Sequence, residues 1–170
     1  MKWTTRNISL CAVLAALALG LSTLDGLFPL SLIVPLPGVK LGLANIVTVF
    51  ALYQLGSGAA LAILVTRCLL GGLFAGNLSA MLFSVLGGLT AMLVMILLRQ
   101  LPRLSVYGVS IGGAAAHNCG QVAAACLTLG SGAPLYYLPV LLGASLLTGA
   151  VTGVAAACLF RALRHTSILR

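Results

Sequence analysis

Six apolar runs of helical length, separated by short breaks carrying glycine, proline or charge, set the pattern of this chain. The first helix is expected from Ile8 to Leu24. The second runs from Leu41 to Leu55 and the third from Gly58 to Leu73. The fourth covers Leu78 to Leu98, the fifth Leu104 to Leu129, and the sixth Leu138 to Leu163. Crossing a hydrocarbon core takes about 20 apolar residues. The second and third runs fall short of that, so they are expected to be broken, or shielded by neighbouring helices rather than lipid.

Between the first two helices, Leu27 to Leu36 is apolar yet contains Pro29 and Pro35, with Pro37 and Gly38 just beyond. Proline lacks a backbone donor and breaks helices, so this stretch does not span. It is expected to pack on the bundle as a lid or re-entrant loop; a plain amphipathic connector is the alternative. Small residues recur at every fourth position in Ala12-x3-Ala16, Gly108-x3-Gly112, Gly112-x3-Ala116 and Gly149-x3-Gly153. This spacing lets helix backbones approach closely where lipid supplies no hydrophobic drive. For Ala12 and Ala16 on the first helix, docking to a partner membrane protein is the rival to internal packing.

Composition fixes the class. Of 170 residues, 61% are hydrophobic and only 6% charged, with a mean hydropathy of +1.20, whereas soluble domains average about 25% charged residues. Residues 1–170 therefore read as one all-α, polytopic membrane domain of six transmembrane helices. Lys2 and Arg6 ahead of the run from Ile8 could pass for a secretory signal. No small-residue cleavage site followed by a soluble domain comes after them, so a retained first helix is expected. The formal charge of +8 does not point to nucleic acid, because the cations sit mainly at span ends. With six spans, Lys2, Arg6, Arg99, Arg103, Arg161, Arg164 and Arg170 share one side, which is then cytoplasmic and holds both termini. The exceptions are Lys40 and Arg67.

Arg67 is the first candidate for chemistry, because it interrupts an apolar helix in a chain whose only acidic residue is Asp25. A guanidinium in hydrocarbon needs a partner or a polar cavity. Arg67 is therefore expected to pair with Asp25 or backbone carbonyls, or to receive an anion from outside the chain. Lys40, Asn45, Asn77, His117, Asn118 and Gln121 are the other candidate site residues in or beside the spans. Counting helical rise, Arg67 lies roughly 13 Å in from its cytoplasmic end and His117 roughly 20 Å. The group converges between the midplane and the outer surface, with His117 and Gln121 on one helix face and Asn118 about 100° away. Such donors with net positive charge suit an anionic or strongly hydrogen-bonding small molecule. Amides stapling helices together are the alternative.

Catalysis has little to work with. Aspartate-rich magnesium sites need several carboxylates, and no nucleophile elbow, phosphate loop or zinc pattern is present. Cys11, Cys68, Cys119, Cys126 and Cys158 are scattered singly and read as small packing residues. No catalytic residue, metal or cofactor is expected.

Three segments carry a family resemblance: Pro37-Gly-Val-Lys-Leu-Gly-Leu-Ala-Asn-Ile-Val47, Phe74-Ala-Gly-Asn-Leu-Ser79, and Gly108-Val-Ser110 through Ala116-His-Asn-Cys-Gly-Gln121. They resemble membrane proteins labelled heptaprenyl diphosphate synthase component I, also called Gx transporter proteins, over nearly the whole chain. That family is in turn similar to the substrate-binding S components of energy-coupling factor (ECF) importers. The resemblance implies an outward-facing pocket capped by the loop between helices one and two. It also implies a docking face at Ala12 and Ala16, and a partner membrane coupling subunit with ATPases. The expected function is therefore capture of an anionic or polar small molecule at the outer face of the cell membrane. Lys40, Asn45, Arg67, Asn77, His117, Asn118 and Gln121 would form the site. The alternative is a non-catalytic membrane subunit assisting isoprenoid, quinone or flavin redox metabolism.

Overall fold

A computed structural model describes residues 5–27 and 42–163. Six α-helices lie among the described residues: α1 (Thr5–Leu27), α2 (Asn45–Gln54), α3 (Ser57–Ala75), α4 (Leu78–Arg99), α5 (Val106–Leu129) and α6 (Leu138–Leu163). Each expected helix is present, and the largest boundary correction falls on α2. It starts at Asn45 rather than Leu41, because Gly42 takes a φ of 83° that no helix accommodates. A 3-10 turn, Ala133–Tyr137, leads into α6 and was not expected. The expected proline-rich lid, with Lys40, lies outside the described residues.

Local chemistry fixes the helix ends. The Asn77 side chain accepts the Ala80 N–H at 3.0 Å to open α4, and Ser105 does the same for Gly108 at 3.4 Å to open α5. Gly76 and Gly130, at φ of 58° and 60°, close α3 and α5 in the left-handed conformation.

Four stretches are long and apolar enough to cross a membrane: Thr5–Asp25, Ser57–Ala75, Leu78–Arg99 and Ala133–Ala162. The third helix is thus longer than its sequence pattern indicated, since it starts at Ser57 and runs on past Leu73 to Ala75. At 10 residues, α2 rises only about 15 Å, half of a hydrocarbon core. α5 has the length, but His117, Asn118, Gln121 and its glycines dilute its apolar character. It packs along α4 on one side and α6 on the other, so neighbouring helices cover its polar residues. Leu73, Phe74, Leu93, Leu127 and Leu147 point outward, 62–76% exposed. An all-helical protein with such a surface belongs in a membrane.

The helices follow one another round the bundle as α1, α3, α4, α5 and α6, and α2 touches α1, α3, α4 and α6. A short helix inside a bundle leaves its terminal backbone groups away from water. Two charged side chains answer for them. The Asp25 carboxylate accepts the N–H of Gly42 at 2.6 Å and of Leu43 at 3.1 Å, just ahead of α2. At the other end Arg99 donates to the Leu52 carbonyl and stacks 5.0 Å over the Tyr53 ring. Both charges have the sign that the helix dipole favours.

Close packing of α5 on α6 uses one of the expected small-residue pairs. A Cβ at Gly149 would lie 2.5 Å from Ile111 Cα, and one at Gly153 would lie 3.1 Å from Tyr107 Cα. Gly108 does not work this way: its nearest neighbour is Leu104, a few residues back in the chain. Ala12 and Ala16 are exposed on α1.

Candidate functional site

α3 turns Arg67 into the bundle, where it is only 4% exposed. Its Nη2 donates to Asn45 Oδ1 at 3.4 Å, a long hydrogen bond. Its Nε has no partner among the described residues. A guanidinium carries five N–H donors. Leaving a buried donor unmade costs about 1–3 kcal/mol, and more for a charged group. Asp25 acts on Arg67 through its charge rather than through a hydrogen bond, its carboxylate accepting the backbone N–H groups ahead of α2.

Three glycines make room for Arg67 and the polar side chains near it. A Cβ at Gly88 would sit 3.6 Å from Arg67 Nη2 and 2.8 Å from Leu64. One at Gly87 would sit 2.9 Å from His117 Cε1 and 3.0 Å from Gln121 Cγ. One at Gly42 would sit 3.0 Å from Asn45 Nδ2 and 3.4 Å from His117 Cδ2. Asn45, Arg67, His117 and Gln121 thus converge from α2, α3 and α5 on the glycine pair of α4. None of the four is more than 4% exposed. Gln121 Oε1 has no hydrogen-bond partner among the described residues, so the cluster holds an open acceptor as well as the open Nε of Arg67.

Two of the expected site residues stand apart. Asn118 turns away from Gln121, as helical geometry requires, and donates to the Leu141 carbonyl of α6 at 2.7 Å. Asn77 is exposed and spends its side chain on capping α4. Lys40 lies outside the described residues.

Next to Arg67, where α1, α3 and α4 meet, is a cavity of about 20 Å³ lined by Ser22, Cys68, Gly71 and Ser84 among others. That is room for roughly one water, against about 300 Å³ or more for an ordinary ligand pocket. The described helices therefore hold a polar cluster with a small cavity beside it; the expected outward-facing pocket involves the loop between the first two helices, which lies outside the described residues. Ser22 and Ser84 went unnoticed in the sequence because a lone serine in an apolar helix carries no periodic signal. Gly87 and Gly88 were visible as a pair, but nothing in the pattern tied them to His117 or Arg67. Among the described residues no three of His, Cys, Asp and Glu gather as metal ligands.

The profile of the family described as heptaprenyl diphosphate synthase component I matches residues 14–159. The chain belongs to that family. In this family member the matched region contains the whole polar cluster, the Asp25 clamp on α2 and the Arg99 contact. No curated protein and no solved structure matches the chain.

Proposed function

We propose that this component I family member is a non-catalytic membrane subunit that captures an anionic small molecule at Arg67. One observation carries the reading: a guanidinium 4% exposed, with one long hydrogen bond and an unmet Nε. A helical bundle gains nothing from such a group unless something else neutralises it. Asn45, His117 and Gln121 would complete the site, with Lys40 at its outer edge. Asn77 and Asn118 serve the scaffold.

In this reading the six helices all sit in the cell membrane with both termini cytoplasmic, following the distribution of positive charge. The subunit works as an ECF-type substrate component. It captures its ligand from outside, docks through Ala12 and Ala16, and is driven by the ATPases of a partner coupling subunit. The exposure of both alanines supports that docking face. The second reading, a non-catalytic partner within a prenyl diphosphate synthase assembly, is favoured by the family match. Gentle purification from native membranes separates them. A coupling subunit with an ATPase pair in the complex supports import, whereas a prenyl-transferring enzyme in its place supports the synthase reading.

A further inference from the structure

We propose that the seam between α3 and α4 receives the hydrocarbon chain of a single-chain phosphate amphiphile whose head lies at Arg67. This rests on the reading of Arg67 as an anion site and names the class of molecule bound there.

The space around Arg67 decides the class. Among the described residues, the cavity at the guanidinium admits about one water, so a ligand seated there extends into neighbouring volume. On the outer side of the same seam lie two apolar hollows, of about 240 and 350 Å³. Leu89 lines both, so they adjoin along α4 and together offer one apolar track. That track runs along α4 from Val85 to Ile96, about 16 Å by helical rise. That is roughly half the thickness of a hydrocarbon core.

Cys68 joins the two environments. It lines the Arg67 cavity and the nearer hollow alike. Its Sγ donates across the seam to the Ser84 carbonyl at 3.4 Å. A thiol is a weak donor, so a modest separation of α3 from α4 opens the cavity to the groove. A molecule placed there would have its anionic head against Arg67, Ser22 and Ser84 and its chain beside Val65, Leu69 and Leu89. A phosphate suits the head, because its several acceptor oxygens match the guanidinium fork and serine hydroxyls. A single groove accepts a single chain.

The test measures equilibrium binding to the full chain in phosphatidylcholine nanodiscs, with dodecyl phosphate, inorganic phosphate, dodecanol and phosphatidic acid as probes. Dodecyl phosphate is expected to bind roughly tenfold or more tightly than inorganic phosphate, the chain adding apolar burial. Dodecanol and phosphatidic acid should bind weakly. Leu89→Trp, which fills the groove, should weaken dodecyl phosphate by roughly tenfold and leave inorganic phosphate unchanged. Leu93→Trp serves in its place if the first variant does not fold. Arg67→Gln should abolish binding of both phosphates. Equal binding of the two phosphates, untouched by the tryptophan variants yet lost in Arg67→Gln, would overturn the groove while leaving the anion site standing. Tight binding of phosphatidic acid would overturn the single-chain assignment. Phosphate binding that survives Arg67→Gln would remove the anion site itself.

Discussion

Arg67 hydrogen-bonds to Asn45 at 3.4 Å, and among the described residues its guanidinium makes no other hydrogen bond. The pair joins the middle of α3 to the first residue of α2. It orients the cation without neutralising it, since an amide oxygen carries no net charge. The nearest source of negative charge in the sequence, Asp25, is turned to the N–H groups of Gly42 and Leu43.

Asp25 should therefore matter for stability. Replacing it with Ala leaves two backbone donors ahead of α2 without their acceptor, at a cost of roughly 2 kcal/mol. A lower unfolding midpoint in lipid nanodiscs is expected, with anion binding retained whenever the protein is folded. An unchanged midpoint would mean that α2 does not depend on this carboxylate.

Arg99 does the corresponding work at the other end. Arg99→Ala removes both the donor to the Leu52 carbonyl and the charge over Tyr53, worth roughly 1–2 kcal/mol together. Arg99→Lys should recover part of the loss, because charge and reach survive while the planar fork does not. If Lys and Ala destabilise equally, the geometry of the guanidinium rather than its charge secures the helix end.

Two glycines of α6 make a controlled comparison. At Gly149 an added methyl would meet Ile111 backbone, which cannot move aside as a side chain can, whereas at Gly143 nothing lies within 4 Å. Gly149→Ala should lower stability by roughly 1–3 kcal/mol through overpacking. Gly143→Ala should be neutral or stabilising by up to about 1 kcal/mol through helix propensity. The contrast is read from unfolding midpoints of the two variants; equal effects would contradict the close α5–α6 approach.

Asn118 and Gln121 should separate structure from binding. Asn118→Ala breaks the bond to the Leu141 carbonyl, costing roughly 1 kcal/mol without altering anion affinity. Gln121→Met keeps the buried volume while removing an acceptor that has no partner among the described residues, so it should cost little stability and change ligand preference. Melting curves with and without phosphate report both.

Hydropathy alone located every described helix, because a membrane rewards continuous apolar runs and the breaks between them are marked by glycine, asparagine and serine caps. It was less informative about α2, where Gly42 resets the start and a 10-residue helix is held by side chains far away in sequence. Four of the polar residues singled out do meet, since a buried polar group in such a chain has few places to go. Asn77 was indistinguishable from them in sequence, because a helix cap and a ligand contact use the same residue type. The contributions of Ser22, Ser84, Gly87 and Gly88 are tertiary facts, invisible to any local pattern.

The most direct measurement is the stability of Arg67→Met, unfolded in nanodiscs with and without phosphate. A buried cation kept for a ligand and only partly offset by Asp25 destabilises the empty protein, so the apolar variant should be at least as stable as the parent and gain nothing from phosphate. A loss of roughly 3–5 kcal/mol in the empty protein, the signature of breaking a satisfied buried ion pair, would contradict the account.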